Sequence, residues 1–125
     1  GETFSLDIEK SITLTGENKS TTILDAGGTN GVIEADADTT ISNLTIKNGG
    51  NVEEGGGIRI RNDNVTIDNC IIENCTSTLI SGGIDIKDNN ILIKNSIIRN
   101  CSSDWGGAIE AFETGSFTIT GCTFE

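Results

Sequence analysis

The 125-residue chain contains no histidine, proline, tyrosine or methionine, and it has only one tryptophan and four phenylalanines. Without histidine there can be no His general base, no His-containing catalytic triad and no His metal ligand. Aromatic residues make up 4% of the chain, so an ordinary core has to be built from Ile, Leu and Val. The absence of proline is typical of strands that donate a hydrogen bond to a neighbour on each side.

Basic residues are also scarce, with 8 Lys and Arg against 19 Asp and Glu and a formal net charge of −11. Nucleic acids and anionic membranes are bound by basic surfaces, so this balance argues against both as partners. No apolar run approaches the length of a membrane span, which predicts no membrane insertion. The sequence starts at Gly1 with no signal peptide and no initiator methionine, so we expect a processed or excised piece.

The dominant feature of the sequence is an internal repeat with a period of 26 residues. Three related segments recur in register along the chain. The first series occupies residues 12–16, 39–43, 65–69, 91–95 and 117–121; the second 31–35, 56–60, 82–86 and 107–111; the third 44–48, 70–74, 96–100 and 122–125.

Within each segment apolar and polar residues alternate, as Ile58, Arg59 and Ile60 do, and this periodicity is typical of strands. Three short strands per repeat cannot bury their own apolar faces, but stacked repeats can. The sequence therefore predicts an all-β, right-handed parallel β-helix of about five 26-residue coils with three parallel sheets, the handedness following from the crossover rule. We expect a single domain over residues 1–125, in which 1–30 form the first coil and N-terminal edge and 31–125 the regular coils.

Three polar columns support this register, because equivalent positions of successive repeats would lie on neighbouring strands. Two columns carry charges whose alternation predicts ion pairs between coils. The third consists of Asn, whose amides can form ladders and which tolerates the backbone of a corner. The columns are Glu34, Arg59, Asp85 and Glu110; Lys47, Glu73, Arg99 and Glu125; and Asn48, Asn74 and Asn100.

The four cysteines do not form a CxxC metal framework. Cys75 and Cys101 are one repeat apart, so their Cα atoms would be about 5 Å apart, within disulfide range. A Cys75–Cys101 disulfide is one interpretation, expected in an oxidising location, and a column of small buried free thiols is the other. Cys70 and Cys122 are separated by Ser96 and would be about twice that distance apart.

Two further features are candidate binding sites. Glu34, Asp36 and Asp38 alternate, so on an extended strand they would share one face and offer oxygen ligands to Ca²⁺; a solvated acidic edge is the competing interpretation. No other cofactor is predicted. The single Trp105 could be an exposed ring of a glycan-binding surface or a plug over a coil, and we favour the plug.

The motif Gly106-Gly-Ala-Ile109 resembles the repeats of polymorphic-outer-membrane and adhesin-like surface proteins, with near copies at residues 56–58 and 82–84. Residues 10–25 resemble the first turn of pectin-lyase-like right-handed β-helices. The resemblance covers essentially the whole chain. It implies a β-helix from a microbial secreted or cell-surface protein, in a superfamily that also includes polysaccharide lyases and hydrolases.

We therefore expect a non-catalytic structural or adhesive role outside the cell or on its surface, with glycans among the possible partners. The ends of the coil stack would be covered by further coils of a longer protein, which we favour, or by other copies in end-to-end assembly. One alternative is a fragment of a polysaccharide lyase or hydrolase. A second is an ice-binding solenoid, because Thr13/Thr15, Thr40/Ser42 and Thr118/Thr120 form rows of hydroxyl groups.

Overall fold

The computed structural model describes residues 3–112 and 115–125. Over these residues the chain forms fifteen short β-strands and no helix. The strands, in chain order, are β1 (Phe4–Ile8), β2 (Ile12–Thr15), β3 (Ile23–Asp25), β4 (Gly31–Ala35), β5 (Thr39–Ser42), β6 (Thr45–Lys47), β7 (Ile58–Ile60), β8 (Val65–Asp68), β9 (Ile71–Glu73), β10 (Ile84–Ile86), β11 (Ile91–Lys94), β12 (Ile97–Arg99), β13 (Ile109–Ala111), β14 (Phe117–Thr120) and β15 (Thr123–Phe124).

The strands form three parallel sheets, and every third strand belongs to the same sheet. Sheet A has the order β1-β4-β7-β10-β13, sheet B β2-β5-β8-β11-β14 and sheet C β3-β6-β9-β12-β15. Each group of three consecutive strands forms one turn of a β-helix. The described residues therefore contain five such turns, called coils 1–5 from the N-terminal end. The prediction of about five coils and three parallel sheets is confirmed.

The register of the sheets follows the 26-residue repeat. On sheet B, Thr39, Val65 and Ile91 lie on adjacent strands at matching positions, as the first repeat series predicts. Strand β1 pairs only with β4 among the described strands and forms one edge of sheet A. A slip by one residue would turn every apolar side chain to the opposite face, so the buried face fixes this register.

The interior of the coil stack is filled mainly by isoleucine. One inward column on sheet A consists of Ile33, Ile58 and Ile84, all with no exposed surface. Burying each such side chain stabilises the fold by about 1.5–3 kcal/mol. The remaining fully buried large side chains are Ile41, Leu44, Ile46, Ile60, Ile67, Ile72, Ile86, Ile91 and Ile93.

The corner that leads from sheet C to sheet A is the longest one in coils 2–5. It is formed by residues 48–57, 74–83 and 100–108, called the stacked loops below, which pair with one another through the bridges Glu54–Ile80 and Ile80–Trp105. Gly83 allows close packing here, because a Cβ atom at this position would lie 2.2 Å from the carbonyl oxygen of Ala108. The loops run beside the outward face of sheet A, since a Cβ atom on Gly55 would lie 2.9 Å from Cα of Arg59.

Candidate functional site

The outward face of sheet C carries a column of alternating charge. Asp25, Lys47, Glu73 and Arg99 lie at matching positions on successive strands. Nε of Arg99 donates to Oε2 of Glu73 at 2.8 Å, and Nζ of Lys47 lies 3.9 Å from Oδ2 of Asp25. Both pairs link neighbouring coils, and the partly exposed Arg99–Glu73 pair contributes about 0–1 kcal/mol to the free energy of unfolding.

The outward face of sheet A carries the second charged column, in which Glu34, Arg59, Asp85 and Glu110 are aligned. Nε of Arg59 donates to Oε2 of Glu34 at 2.5 Å. The guanidinium carbon of Arg59 also lies 4.5 Å from the centre of the Phe4 ring. Arg59 is therefore held by a carboxylate and an aromatic ring together.

Asp85 differs from the prediction that it lies on an outward, solvated column, because its exposure is 0%. Neither carboxylate oxygen accepts a hydrogen bond from the described residues. Nη2 of Arg61 lies 2.8 Å from Oδ2, so the ionic partner of Asp85 is Arg61. Burial raises the pKa of the Asp85 carboxyl, and the charge of Arg61 offsets only part of that rise.

Asp85 is the buried member of an ionic cluster that also contains the partly exposed side chains of Arg61, Lys87 and Glu54. Nζ of Lys87 donates to both carboxylate oxygens of Glu54 at 2.8 Å, and Nη2 of Arg61 donates to Oε2 of the same residue. Burial opposes the ionisation of Glu54, but the hydrogen bonds and charges of Lys87 and Arg61 outweigh it and lower its pKa. The cluster ties a stacked loop of coil 2–3 to the strand ends of coils 3 and 4.

Sequence reasoning missed three members of this cluster. Arg61 and Lys87 each directly follow the last residue of a sheet A strand and are one repeat apart, which is a usable signal. Glu54 lies in a stacked loop, where the strand register gives no guide to its neighbours.

The Asn column predicted from the repeat occupies matching corners. Asn48, Asn74 and Asn100 have φ of 57°, 55° and 51°, the left-handed conformation that Asn tolerates better than most residues. Side-chain bonds between Asn residues occur in other columns: Nδ2 of Asn69 donates to Oδ1 of Asn43 at 2.9 Å. The amide of Asn48 donates to Oδ1 of Asp25 instead, also at 2.9 Å.

The three calcium candidates do not lie on one extended strand. Strand β4 ends at Ala35 and β5 begins at Thr39, so residues 36–38 form a corner. Burial and the adjacent Glu34 carboxylate raise the pKa of Asp36, whereas Asp38 accepts hydrogen bonds from Asn62 at 2.8 Å and Asn64 at 3.4 Å. In residues 3–112 and 115–125 no three acidic or cysteine side chains are grouped to hold a metal ion. Glu34 and Asp36 remain neighbours, but the three residues do not share one strand, and calcium binding by Glu34, Asp36 and Asp38 stays a prediction.

All four cysteines are free thiols in the structure, so the Cys75–Cys101 disulfide is not formed there. The Cys75 thiol donates to the carbonyl oxygen of Glu73 at 3.3 Å, and the Cys101 thiol donates to that of Arg99 at 3.4 Å. The interaction between the two thiols, with burial, raises the pKa of Cys75, and the same interaction lowers the pKa of Cys101. The arrangement corresponds to the column of stacked thiols, and oxidation of the pair stays a prediction.

Trp105 is 68% exposed, so the preferred interpretation of this ring as a plug is wrong. Its bridge to Ile80 joins it to the stacked loop of the preceding coil. With Leu79, Gly106, Glu110, Phe112 and Ile80 it lines an open cavity of about 300 Å³. An exposed indole ring beside a carboxylate offers an apolar surface and a negative charge to a ligand.

The hydroxyl rows on sheet B are aligned but interrupted. Thr13, Thr40 and Thr66 lie on successive strands, and the Ser42 hydroxyl donates to Oγ1 of Thr15 at 3.2 Å. Farther along, Asp68 and Lys94 replace the hydroxyl groups, and Nζ of Lys94 lies 3.9 Å from Oδ2 of Asp68. The regular array therefore ends after two coils.

No helix within residues 3–112 and 115–125 could cross a membrane. Residues 30–125 match the family model described as right handed beta helix region. No curated protein and no solved structure matches the chain significantly. The family match covers most of the chain and agrees with the three parallel sheets, so the protein belongs to the right-handed β-helix family.

Proposed function

We propose that this β-helix is a non-catalytic structural or adhesive segment that acts outside the cell or on the cell surface. The observation that carries the proposal is the use of charged side chains on the outer faces to join neighbouring coils. The basic side chains in such pairs are Lys47, Arg59, Arg61, Lys87, Lys94 and Arg99.

Cleavage of a glycosidic bond makes different demands on a β-helix face. It needs two accessible carboxylates on either side of the bond, or acidic calcium ligands with a basic proton acceptor. Asp85 has no exposed surface, and Glu34 is paired with Arg59. Buried and paired carboxylates support a structural role for this face rather than a catalytic one.

One observation favours the alternative, a fragment of a polysaccharide lyase or hydrolase. Asp85 is a buried acid with a raised pKa beside Arg61 and Lys87, and groups perturbed in this way are concentrated at active sites. For catalysis, the side chains over Asp85 would have to move aside when a polymer binds.

A depolymerisation assay on several uronic-acid and neutral polysaccharides distinguishes the two functions. We expect no shortening of any polymer by the native chain or by Asp85→Asn, while both keep the same circular dichroism spectrum. Release of oligosaccharides by the native chain, abolished in a folded Asp85→Asn variant, would refute the non-catalytic proposal.

Self-association end to end is the alternative to further coils of a longer protein, which we favour, as the cover of the first and last described coils. Ile12 and Ile23 of coil 1 and Phe117 and Phe124 of coil 5 are exposed apolar side chains, which supports contact between coil stacks. Size-exclusion chromatography with light scattering, followed by electron microscopy, should show mass that rises with concentration and short rods. A constant monomer mass at every concentration would contradict assembly.

The ice-binding alternative has weaker support because Asp68 and Lys94 interrupt the hydroxyl rows. We expect no thermal hysteresis from the native chain at high concentration. Leu92 also interrupts the row that contains Thr66 and Thr118. The matched variant Asp68→Thr with Leu92→Thr and Lys94→Thr completes both rows and tests whether the interruption is the reason.

A further inference from the structure

The charged column on the outward face of sheet A is incomplete at coil 5. Reading from coil 2, Glu34, Arg59 and Asp85 alternate in sign, but Glu110 is a second acid in succession. Within the described part of the chain, Glu110 has no ion-pair partner, whereas Glu34 is paired with Arg59. A positive charge is therefore missing beside Glu110.

The same face shows how this fold holds a cation. The guanidinium of Arg59 is bonded to the carboxylate of Glu34 and lies 4.5 Å from the ring of Phe4. A carboxylate and an aromatic face together stabilise a planar guanidinium through a charge-assisted hydrogen bond and a cation–π contact.

A similar set of groups surrounds Glu110, without a guanidinium. Trp105 and Phe112 are 68% and 55% exposed, and both line the 300 Å³ cavity with Glu110. The carboxylate lies at the loop that carries Trp105, because a Cβ atom on Gly106 would be 2.9 Å from Oε2 of Glu110. Leu79 and Ile80 complete an apolar wall on the coil 4 side.

We propose that this cavity binds the side chain of an arginine presented by a partner protein, with the guanidinium between Glu110 and the Trp105 and Phe112 rings. The inference rests on the proposed adhesive function, to which it adds the chemistry of the partner. Peptide binding and polymer cleavage are measured separately, so either proposal can fail alone.

The lining favours a guanidinium over a sugar. Sugars need several hydrogen-bonding groups around an aromatic ring, whereas the cavity offers one carboxylate among rings and aliphatic side chains. Arginine stacks on aromatic rings and bonds carboxylates through a rigid fork of donors. The net charge of −11 would also attract a basic partner over longer distances.

The assay uses the fluorescence of Trp105, which is the only tryptophan in a chain without tyrosine. The protein is titrated with the peptide acetyl-Gly-Arg-Gly-amide and, in parallel, with the same peptide carrying neutral citrulline in place of arginine. We expect the arginine peptide alone to shift the Trp105 emission, with binding that weakens as NaCl is added.

The variant Glu110→Gln should weaken arginine binding about tenfold, and Phe112→Leu about threefold. The matched control Glu17→Gln removes the same charge from an exposed residue of coil 1 and should leave binding unchanged. Circular dichroism establishes that each variant is folded. The variant Glu110→Lys places a positive charge at this position and should abolish binding of the arginine peptide. Equal binding of the citrulline peptide, unchanged binding by Glu110→Gln, or a response to chitin or pectin oligosaccharides in place of arginine would overturn the proposal.

Discussion

Removing the positive partner of Asp85 should destabilise the fold in a manner that depends on pH. In Arg61→Met the side chain stays unbranched and apolar near the backbone but loses the guanidinium that lies 2.8 Å from Oδ2 of Asp85. Asp85 has no exposed surface, so water cannot replace the lost partner without a rearrangement of the stacked loops. The variant therefore leaves a buried carboxylate that has to be ionised without this partner or protonated.

The loss of stability expected in Arg61→Met follows from the burial of the Arg61–Asp85 ion pair. Breaking a buried ion pair by removing one partner costs about 3–5 kcal/mol. The lower end of this range applies because the Arg61 side chain is 23% exposed and the charge of Lys87 remains nearby. We therefore expect Arg61→Met to lower the free energy of unfolding by about 3 kcal/mol near neutral pH.

The pH dependence has a defined sign. Burial raises the folded-state pKa of Asp85 above its ordinary value, so the ionised carboxylate destabilises the folded chain, and this cost disappears as the pH falls through that pKa. Arg61→Met removes a charge that lowers the pKa of Asp85, which enlarges the effect. The stability lost in Arg61→Met should thus be largely recovered at acidic pH, where Asp85 is protonated.

Urea unfolding followed by circular dichroism, at about pH 7 and at about pH 3.5, which is below the ordinary pKa of the Asp85 carboxyl, measures the effect. Asp85→Asn is the matched control, because it removes the carboxylate charge and should suppress most of the cost of Arg61→Met in the double variant. An equal loss of stability at both pH values, or costs that simply add in the double variant, would refute the role of Asp85 as a buried charge held by Arg61.

Three further predictions concern the core, the corners and the thiols. Ile72 lies between Ile46 and Ile98 in the interior, so Ile72→Ala should lower the free energy of unfolding, measured in urea, by about 3 kcal/mol. The smaller change Ile72→Val should lower it by about 1 kcal/mol. Equal losses in the two variants would contradict close packing around Ile72. Asn74 has a positive φ, so Asn74→Ala should lower the free energy of unfolding by about 1 kcal/mol, whereas Asn74→Gly should leave it nearly unchanged. If thermal unfolding showed the Gly variant to be less stable than the Ala variant, the left-handed corner would be excluded. Cys101, partly exposed and with a lowered pKa, should react with iodoacetamide before buried Cys75; mass spectrometry that finds neither thiol reactive until reductant is added would instead establish the disulfide.

The fold could be predicted because one physical constraint repeats in every coil. Ile58 and Ile84 must face inward on adjacent strands, and this requirement alone fixes the register of Arg59 against Asp85. Side chains alternate along each strand, so the polar columns follow from the same register. The repeat thus contains enough information to place the strands of its three series, whereas β1 and β3 lie outside those series.

The ionic cluster around Asp85 and the position of Trp105 were harder to predict from the sequence, because they depend on parts of the chain outside the strands. Strand register places Asp85 on an outward column, but it does not show that Arg61, Lys87 and Glu54 converge there from strand ends and a loop. Similarly, the path of the stacked loops leaves the Trp105 ring exposed rather than over a coil. Loop paths depend on backbone conformations such as the positive φ of Gly55, which the repeat pattern does not encode.

The ionic cluster also has a consequence for cooperativity. Each described coil pairs only with its neighbours, so stability is a sum of contacts along one dimension. Glu54, Arg61, Asp85 and Lys87 link coils 3 and 4 through ion pairs that are costly to break one partner at a time, so we expect these two coils to open together. Amide hydrogen exchange should then be slowest in β7 and β10, and a stack pulled from one end should resist longest where these strands meet.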